Sequence, residues 1–194
     1  MHERMTKMAN GLAILGGGVL CALVILTSLS VLGRQLNGVF NGPFMQANFT
    51  NLSNWFLDMG VGPINGDFEL VEAGVAFAIF CFLPLAQITA GHASVDVFTS
   101  RLSPRFNRIL AAVAEVLFAA VLLLIAVQLA KGMASKYGNG ETSFLLQFPI
   151  WWAYAASLFG ATAAAIVAIY VACIRVQEMA TGRRILPEQT EAKT

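Results

Sequence analysis

Apolar residues run through the chain in four long blocks, separated by stretches rich in charge, glycine or asparagine. The first block is Gly11 to Gly33, "GLAILGGGVLCALVILTSLSVLG", and the second occupies residues 69–90. The third is Ile109 to Ala130 and the fourth Ile150 to Ile174. Each is close to the ~20 residues a helix needs to cross ~30 Å of hydrocarbon. In lipid the backbone must satisfy its own hydrogen bonds, so an uncharged block of this length predicts a helix. The pattern therefore predicts an all-α integral membrane fold with four transmembrane helices. The polar segments between them are 1–10, 34–68, 91–108, 131–149 and 175–194. Pro84 lies inside the second block and predicts a kink there.

Composition supports this reading. The chain is 57% hydrophobic and only 12% charged, with a mean hydropathy of +0.70. A soluble domain is nearer half apolar and a quarter charged. In 194 residues, four spans leave no room for a sizeable soluble domain. The first block has a basic approach in Arg4 and Lys7, as a signal peptide would. It is longer than a signal core and no A-x-A site closes it, so it reads as a retained anchor. Cys21, Cys81 and Cys173 lie singly in apolar blocks, as small buried hydrophobes do. There is no CxxC pair. His2 and His92 are the only histidines, too few for a bis-histidine haem pair at matched depth. No basic run marks a nucleic-acid footprint, and no cofactor is indicated.

Basic residues orient a membrane protein, because cytoplasmic loops are enriched in Lys and Arg. With the N-terminus inside, Arg4, Lys7, Arg101, Arg105, Arg108, Arg175, Arg183, Arg184 and Lys193 all fall inside. Only Arg34, Lys131 and Lys136 fall outside, along with Asp58, Asp67, Glu69, Glu72 and Glu141. Both termini are therefore expected to be cytoplasmic. Segment 34–68 becomes a long outer loop, in which Trp55, Phe56 and Leu57 could form a short helix lying in the membrane interface.

Several polar residues stand out against these blocks. "GDFELVEAG", Gly66 to Gly74, puts three acids at the mouth of the second helix. Asp67 suits an N-cap and Glu69 the positive end of the helix dipole. Glu72 lies a turn deeper, where neither effect demands an acid. Its expected partner is a cation, with Arg34 the one at hand. Gln87 and Glu115 are intramembrane polar residues. Glu115 sits about 10 Å in from Arg108 at ~1.5 Å per residue. A carboxylate at such depth is either functional, as a proton carrier, or paired with a polar neighbour such as Gln87 or His92. His92 and Asp96 share a helical spacing, but two ligands do not make a metal site. With Arg101, Arg105 and Arg108 they form a cytoplasmic link. Trp151, Trp152 and Tyr154 open the fourth helix as an aromatic belt would. Ala156, Gly160, Ala164 and Ala168 recur every four residues, a small-residue stripe that lets helices pack closely. Abundant alanine could also produce it by chance.

Taken in order, these features resemble the small membrane subunit of tripartite ATP-independent periplasmic (TRAP) transporters. The resemblance is carried by "LGRQLNGVF" closing the first span and "ELVEAGVAF" opening the second. It continues with "GHASVDVFTSRLSPRFNRIL" in the link and "PIWWAY" at the fourth span, covering most of Gly11 to Arg175. Two features depart from the family pattern. The stretch Asn41 to Asn65 is longer than the usual connection. Ala93, Ser94 and Val95 leave out the basic residue usual between the histidine and the aspartate.

The resemblance implies a non-catalytic scaffold in a bacterial inner membrane. Its implied partners are a large membrane subunit that carries an organic acid, usually with sodium, a periplasmic substrate-binding protein, and membrane lipid. It places Arg34, Asp67, Glu69 and Glu72 at a partner interface. Two other readings stay open from the residues alone: a self-sufficient proton-coupled carrier using Glu115, and an intramembrane enzyme. The enzyme reading lacks a nucleophile–base set, metal cluster or haem pair.

Overall fold

A computed structural model describes residues 2–89 and 104–181. Six helices form in these residues: α1 (His2–Phe40), α2 (Pro43–Asn48), α3 (Thr50–Asp58), α4 (Asp67–Ile88), α5 (Pro104–Asn139) and α6 (Trp151–Thr181). Four of them, α1, α4, α5 and α6, are long and apolar enough to cross a membrane. His92, Asp96 and Arg101 lie outside the described residues.

Three of the four long helices overrun their apolar blocks. At ~1.5 Å per residue, α1 is about 58 Å long against ~30 Å of hydrocarbon. It therefore carries Arg34, Gln35 and Asn37 beyond the apolar block without a break in the helix. α4, about 33 Å by the same rise, is the one that matches its block. It continues as one helix through the buried Pro84.

The long helices pack in the order α1, α4, α6, α5, and among the described residues α1 and α5 form no packing interface with each other. Among the described residues the arrangement is an open row, not a closed ring, in which α1 also touches α6 and Gln87 of α4 reaches across to α5. Small residues set its spacing. On α4, the stretch Ala78–Cys81 is approached from both sides by glycines. A Cβ added at Gly16 of α1 would stand 2.9 Å from Cys81 Cβ and 3.2 Å from the Ala78 carbonyl oxygen. One added at Gly160 of α6 would stand 2.8 Å from Phe80 Cβ. Without a hydrophobic drive between helices in lipid, such close backbone approach supplies the packing contacts. Further along α6, the core is Ala164, Ala165, Ala168 and Ala172 against Ala119 and Leu122 of α5. A second cluster joins Ala9 of α1, Ile88 of α4, and Val167 and Val171 of α6.

The segment between α1 and α4 is folded back on α1. Gln46 Nε2 donates to the Phe40 carbonyl at 3.0 Å and Ser53 Oγ donates to the same oxygen. Phe40 and Phe56 stack with centroids 4.8 Å apart. Asn37 Nδ2 holds the Val61 carbonyl at 2.9 Å. Trp55, Phe56 and Leu57 all lie on α3, a helix of nine residues. We call this end of the molecule, with α2, α3 and the turn between α5 and α6, the hairpin end.

Candidate functional site

Two polar sites break the apolar surfaces. The first is the mouth of α4, at the hairpin end. Gly66, not Asp67, is the cap residue there, at φ 78°, a left-handed conformation that glycine adopts without strain. A side chain at Gly66 would also collide with Leu146. Asp67 is thus the first helical residue and not the cap position that the sequence predicts, although its Oδ1 accepts the Phe68 N–H at 2.9 Å. Its other oxygen faces inward. Ser30 Oγ of α1 donates to Asp67 Oδ2 at 2.5 Å, and the pair is buried. Ser30 Oγ in turn accepts the Ile64 N–H at 3.2 Å. The Arg34 guanidinium stands 3.7 Å from the same carboxylate oxygen and 6.0 Å over the Phe68 ring. Arg34 therefore pairs with Asp67, and the expected Arg34–Glu72 pair does not form.

Glu69 also has a defined task. Its two carboxylate oxygens accept the backbone N–H groups of Leu145 at 2.6 Å and Leu146 at 2.9 Å. Those residues form the tip of the α5–α6 turn, a short hairpin closed by the Thr142–Pro149 bridge. Its base is tied by Lys136, which ion-pairs with Glu141. That hydrogen bond, with one from Asn139, holds the Glu141 carboxyl below the ordinary value of 4.5.

Glu72 is the remaining acid. It is exposed and has no hydrogen bond or ion pair among the described residues. Phe68, Glu72 and Ile79 are spaced four and seven apart, so they share one face of α4. Phe68 and Ile79 are exposed as well. The result is a lone carboxylate on an apolar stripe, about 8 Å along the helix from Asp67 at ~1.5 Å per residue.

The second site lies toward the opposite end. Gln87 Nε2 of α4 donates to Glu115 of α5, and both residues are buried. Arg175 of α6 is near enough for its charge to bear on Glu115. Arg175 also pairs with Glu178 one turn on, at 2.9 Å, and Glu178 is only 4% exposed. The cluster spans three helices, and it is wider than the sequence indicated. An apolar block that ends at Ile174 puts Arg175 in a polar tail and gives Glu178 no role. The three-residue spacing of Arg175 and Glu178 on a helix is the signal that was there to read. Likewise Ser30 and Arg34, four apart, share the face of α1 that meets Asp67. Of the basic link residues within the described chain, Arg105 is exposed and Arg108 half-buried.

The other candidates divide. Gly160, Ala164 and Ala168 are buried in helix packing. Ala156 instead lines an open apolar groove with Leu70, Gly74, Phe77, Leu146 and Trp152. Trp152 is exposed and Trp151 half-buried, edge-on to Tyr137 with centroids 5.5 Å apart. Tyr154 packs inward, its ring edge filling the space a side chain at Gly132 would need. No group of three or more His, Cys, Asp or Glu side chains among the described residues could hold a metal ion.

No curated protein and no solved structure matches the chain significantly. A family model does: that of the tripartite ATP-independent periplasmic transporters, DctQ component, over residues 23–178. The match takes in the α4 mouth, the Gln87–Glu115 cluster and the second half of the first apolar block. Members of this family are small transporter subunits and not enzymes. This chain, whose described residues hold four helices long and apolar enough to cross a membrane, therefore belongs to the DctQ component family of the tripartite ATP-independent periplasmic transporters.

Proposed function

We propose that the chain is the stationary scaffold subunit of a secondary-active, sodium-coupled importer of an organic acid. It stands beside a large membrane subunit that moves the substrate, and a periplasmic binding protein delivers the substrate to the pair. The complex sits in a bacterial inner membrane. Both termini of this chain are cytoplasmic, the hairpin end is periplasmic, and α3 lies in the outer membrane interface.

The observation that carries this reading is the open row α1–α4–α6–α5. A polar substrate needs an enclosed, polar-lined path across hydrocarbon. A single row of helices encloses none, but it offers broad apolar sides to a partner. Most of the acids within it are engaged with other groups of the chain. Asp67 holds α1 to α4, and Glu69 holds the α5–α6 hairpin. Glu115 is held by Gln87, which supports a structural role for it over proton carriage.

Glu72 is the exception and marks the partner face. A carboxylate on a lipid-facing stripe is costly, and a cation supplied by the large subunit would offset that cost. Arg34, 51% exposed beyond Asp67, extends the same interface at the membrane surface. The test is co-purification of the large subunit through a tag on this chain. Glu72→Arg is expected to lower recovery of the large subunit several-fold, while Glu3→Arg leaves it unchanged. Full recovery with Glu72→Arg would remove Glu72 from the interface.

A further inference from the structure

The α5–α6 hairpin carries an apolar tip that the partner face does not account for. Phe144 is 87% exposed and Leu145 56%. An unsupported loop would not present such residues in one place, because its own N–H groups would need water. Here Glu69 takes the Leu145 and Leu146 N–H groups, and Ser143 N–H donates to the Phe148 carbonyl at 2.9 Å. The exposed polar side chains turn onto the hairpin itself. Thr142 Oγ1 donates to Gln147 Oε1 at 2.9 Å, and Gln147 Nε2 donates to the Phe144 carbonyl at 2.8 Å. Residues 142–150 contain no charge.

We propose that Phe144 and Leu145 insert into the lipid interface as a fixed foot, with Glu69 as the clamp that holds the foot in shape. Three observations select lipid over a protein partner. The tip's own residues carry no charge, their polar side chains turn onto the hairpin, and the one carboxylate beside them, Glu69, is taken up by the Leu145 and Leu146 amides. The tip's Ser143, Leu145 and Leu146 amides and its Phe144 carbonyl are bonded within the protein, which lowers the cost of entering the headgroup–acyl boundary. Its neighbour Leu146 shares the apolar groove with Trp152, the exposed aromatic at the start of a spanning helix, so the tip sits at the level of the membrane surface. The groove residues Leu70, Gly74 and Phe77 are also on the side of α4 away from Phe68, Glu72 and Ile79. The foot and the lone carboxylate therefore serve different sides of the row.

The test uses the full chain in phosphatidylcholine–phosphatidylethanolamine vesicles, alone and with the large subunit. Cys21, Cys81 and Cys173 are replaced by alanine, and a nitroxide is attached at Phe144→Cys or, independently, at Leu145→Cys. Collision with oxygen, which concentrates in lipid, is compared with collision with a water-soluble nickel chelate. The expected result is several-fold stronger relaxation by oxygen at both sites, with and without the large subunit. Adding Glu69→Ala should loosen the label and shift it toward the chelate. Stronger relaxation by the chelate, or shielding from both agents once the large subunit is present, would overturn the proposal. An unchanged label after Glu69→Ala would overturn the clamp.

Discussion

Ser30 of α1 donates a 2.5 Å hydrogen bond to Asp67, the first residue of α4, and so ties the later part of one long helix to the start of the next. Arg34 lies 3.7 Å from the same carboxylate but is half exposed. A hydrogen bond to a buried charge contributes about 1.5–3 kcal/mol. An exposed ion pair contributes ~1 kcal/mol or less. Ser30→Ala is therefore expected to lower stability by about 2 kcal/mol, and Arg34→Ala by under ~1 kcal/mol. Thermal unfolding midpoints in detergent check the order. A larger loss from Arg34→Ala than from Ser30→Ala would reverse the assignment.

Glu115 is predicted to need its shape and its hydrogen-bonding oxygen but not its charge. Glu115→Gln keeps an acceptor for the Gln87 amide and should leave uptake by the assembled transporter intact. Glu115→Ala removes the acceptor that the buried Gln87 amide donates to and should cost ~1–3 kcal/mol of stability. Uptake abolished by Glu115→Gln in a complex of normal stability would favour the proton-carrier reading instead.

Close helix approach gives a second stability prediction. Gly16→Ala and Gly160→Ala each force a methyl to within 3 Å of α4 atoms. Such overpacking costs about 1–3 kcal/mol. A methyl at Gly17 would meet nothing within 4 Å. Gly17→Ala is therefore expected to be neutral, or stabilising by up to ~1 kcal/mol through helix propensity. Equal effects at the three positions, read as unfolding midpoints, would contradict the close packing of α1 and α6 on α4.

The hairpin base should respond to acid. Folding lowers the Glu141 carboxyl below its ordinary 4.5, chiefly through the Lys136 hydrogen bond. Its contribution is thus fully present above that ordinary value and is lost as the pH falls through the lower folded value. Stability measured from pH 7 down through this window should fall less steeply in Lys136→Met than in the parent chain. Parallel curves would show that the pair does not support the fold.

Much of the fold was legible because lipid leaves the chain few options. Blocks of ~20 apolar residues must be helices, and all four are. Their ends were less legible. Hydropathy marks where hydrocarbon stops, whereas α1 and α5 continue past their apolar blocks until Phe40 and Asn139. The overrun of α1 puts Arg34 on the same helical face as Ser30, and that of α6 puts Arg175 and Glu178 on a helix rather than in a tail. At the α4 mouth the sequence showed three acids but not their partners. Local rules offered Asp67 a cap and Glu69 a dipole. The fold supplied a serine 37 residues earlier and two amides more than 70 residues later. Glu72 is the acid that helix chemistry does not explain, and among the described residues it has no partner.

The most direct test of the scaffold role is sodium-driven uptake of a radiolabelled organic acid into proteoliposomes. The substrate would be one bound by the cognate periplasmic protein. A scaffold gives no uptake by this chain alone, with or without the binding protein, and uptake once the large subunit is added. Saturable uptake by this chain alone would contradict that role.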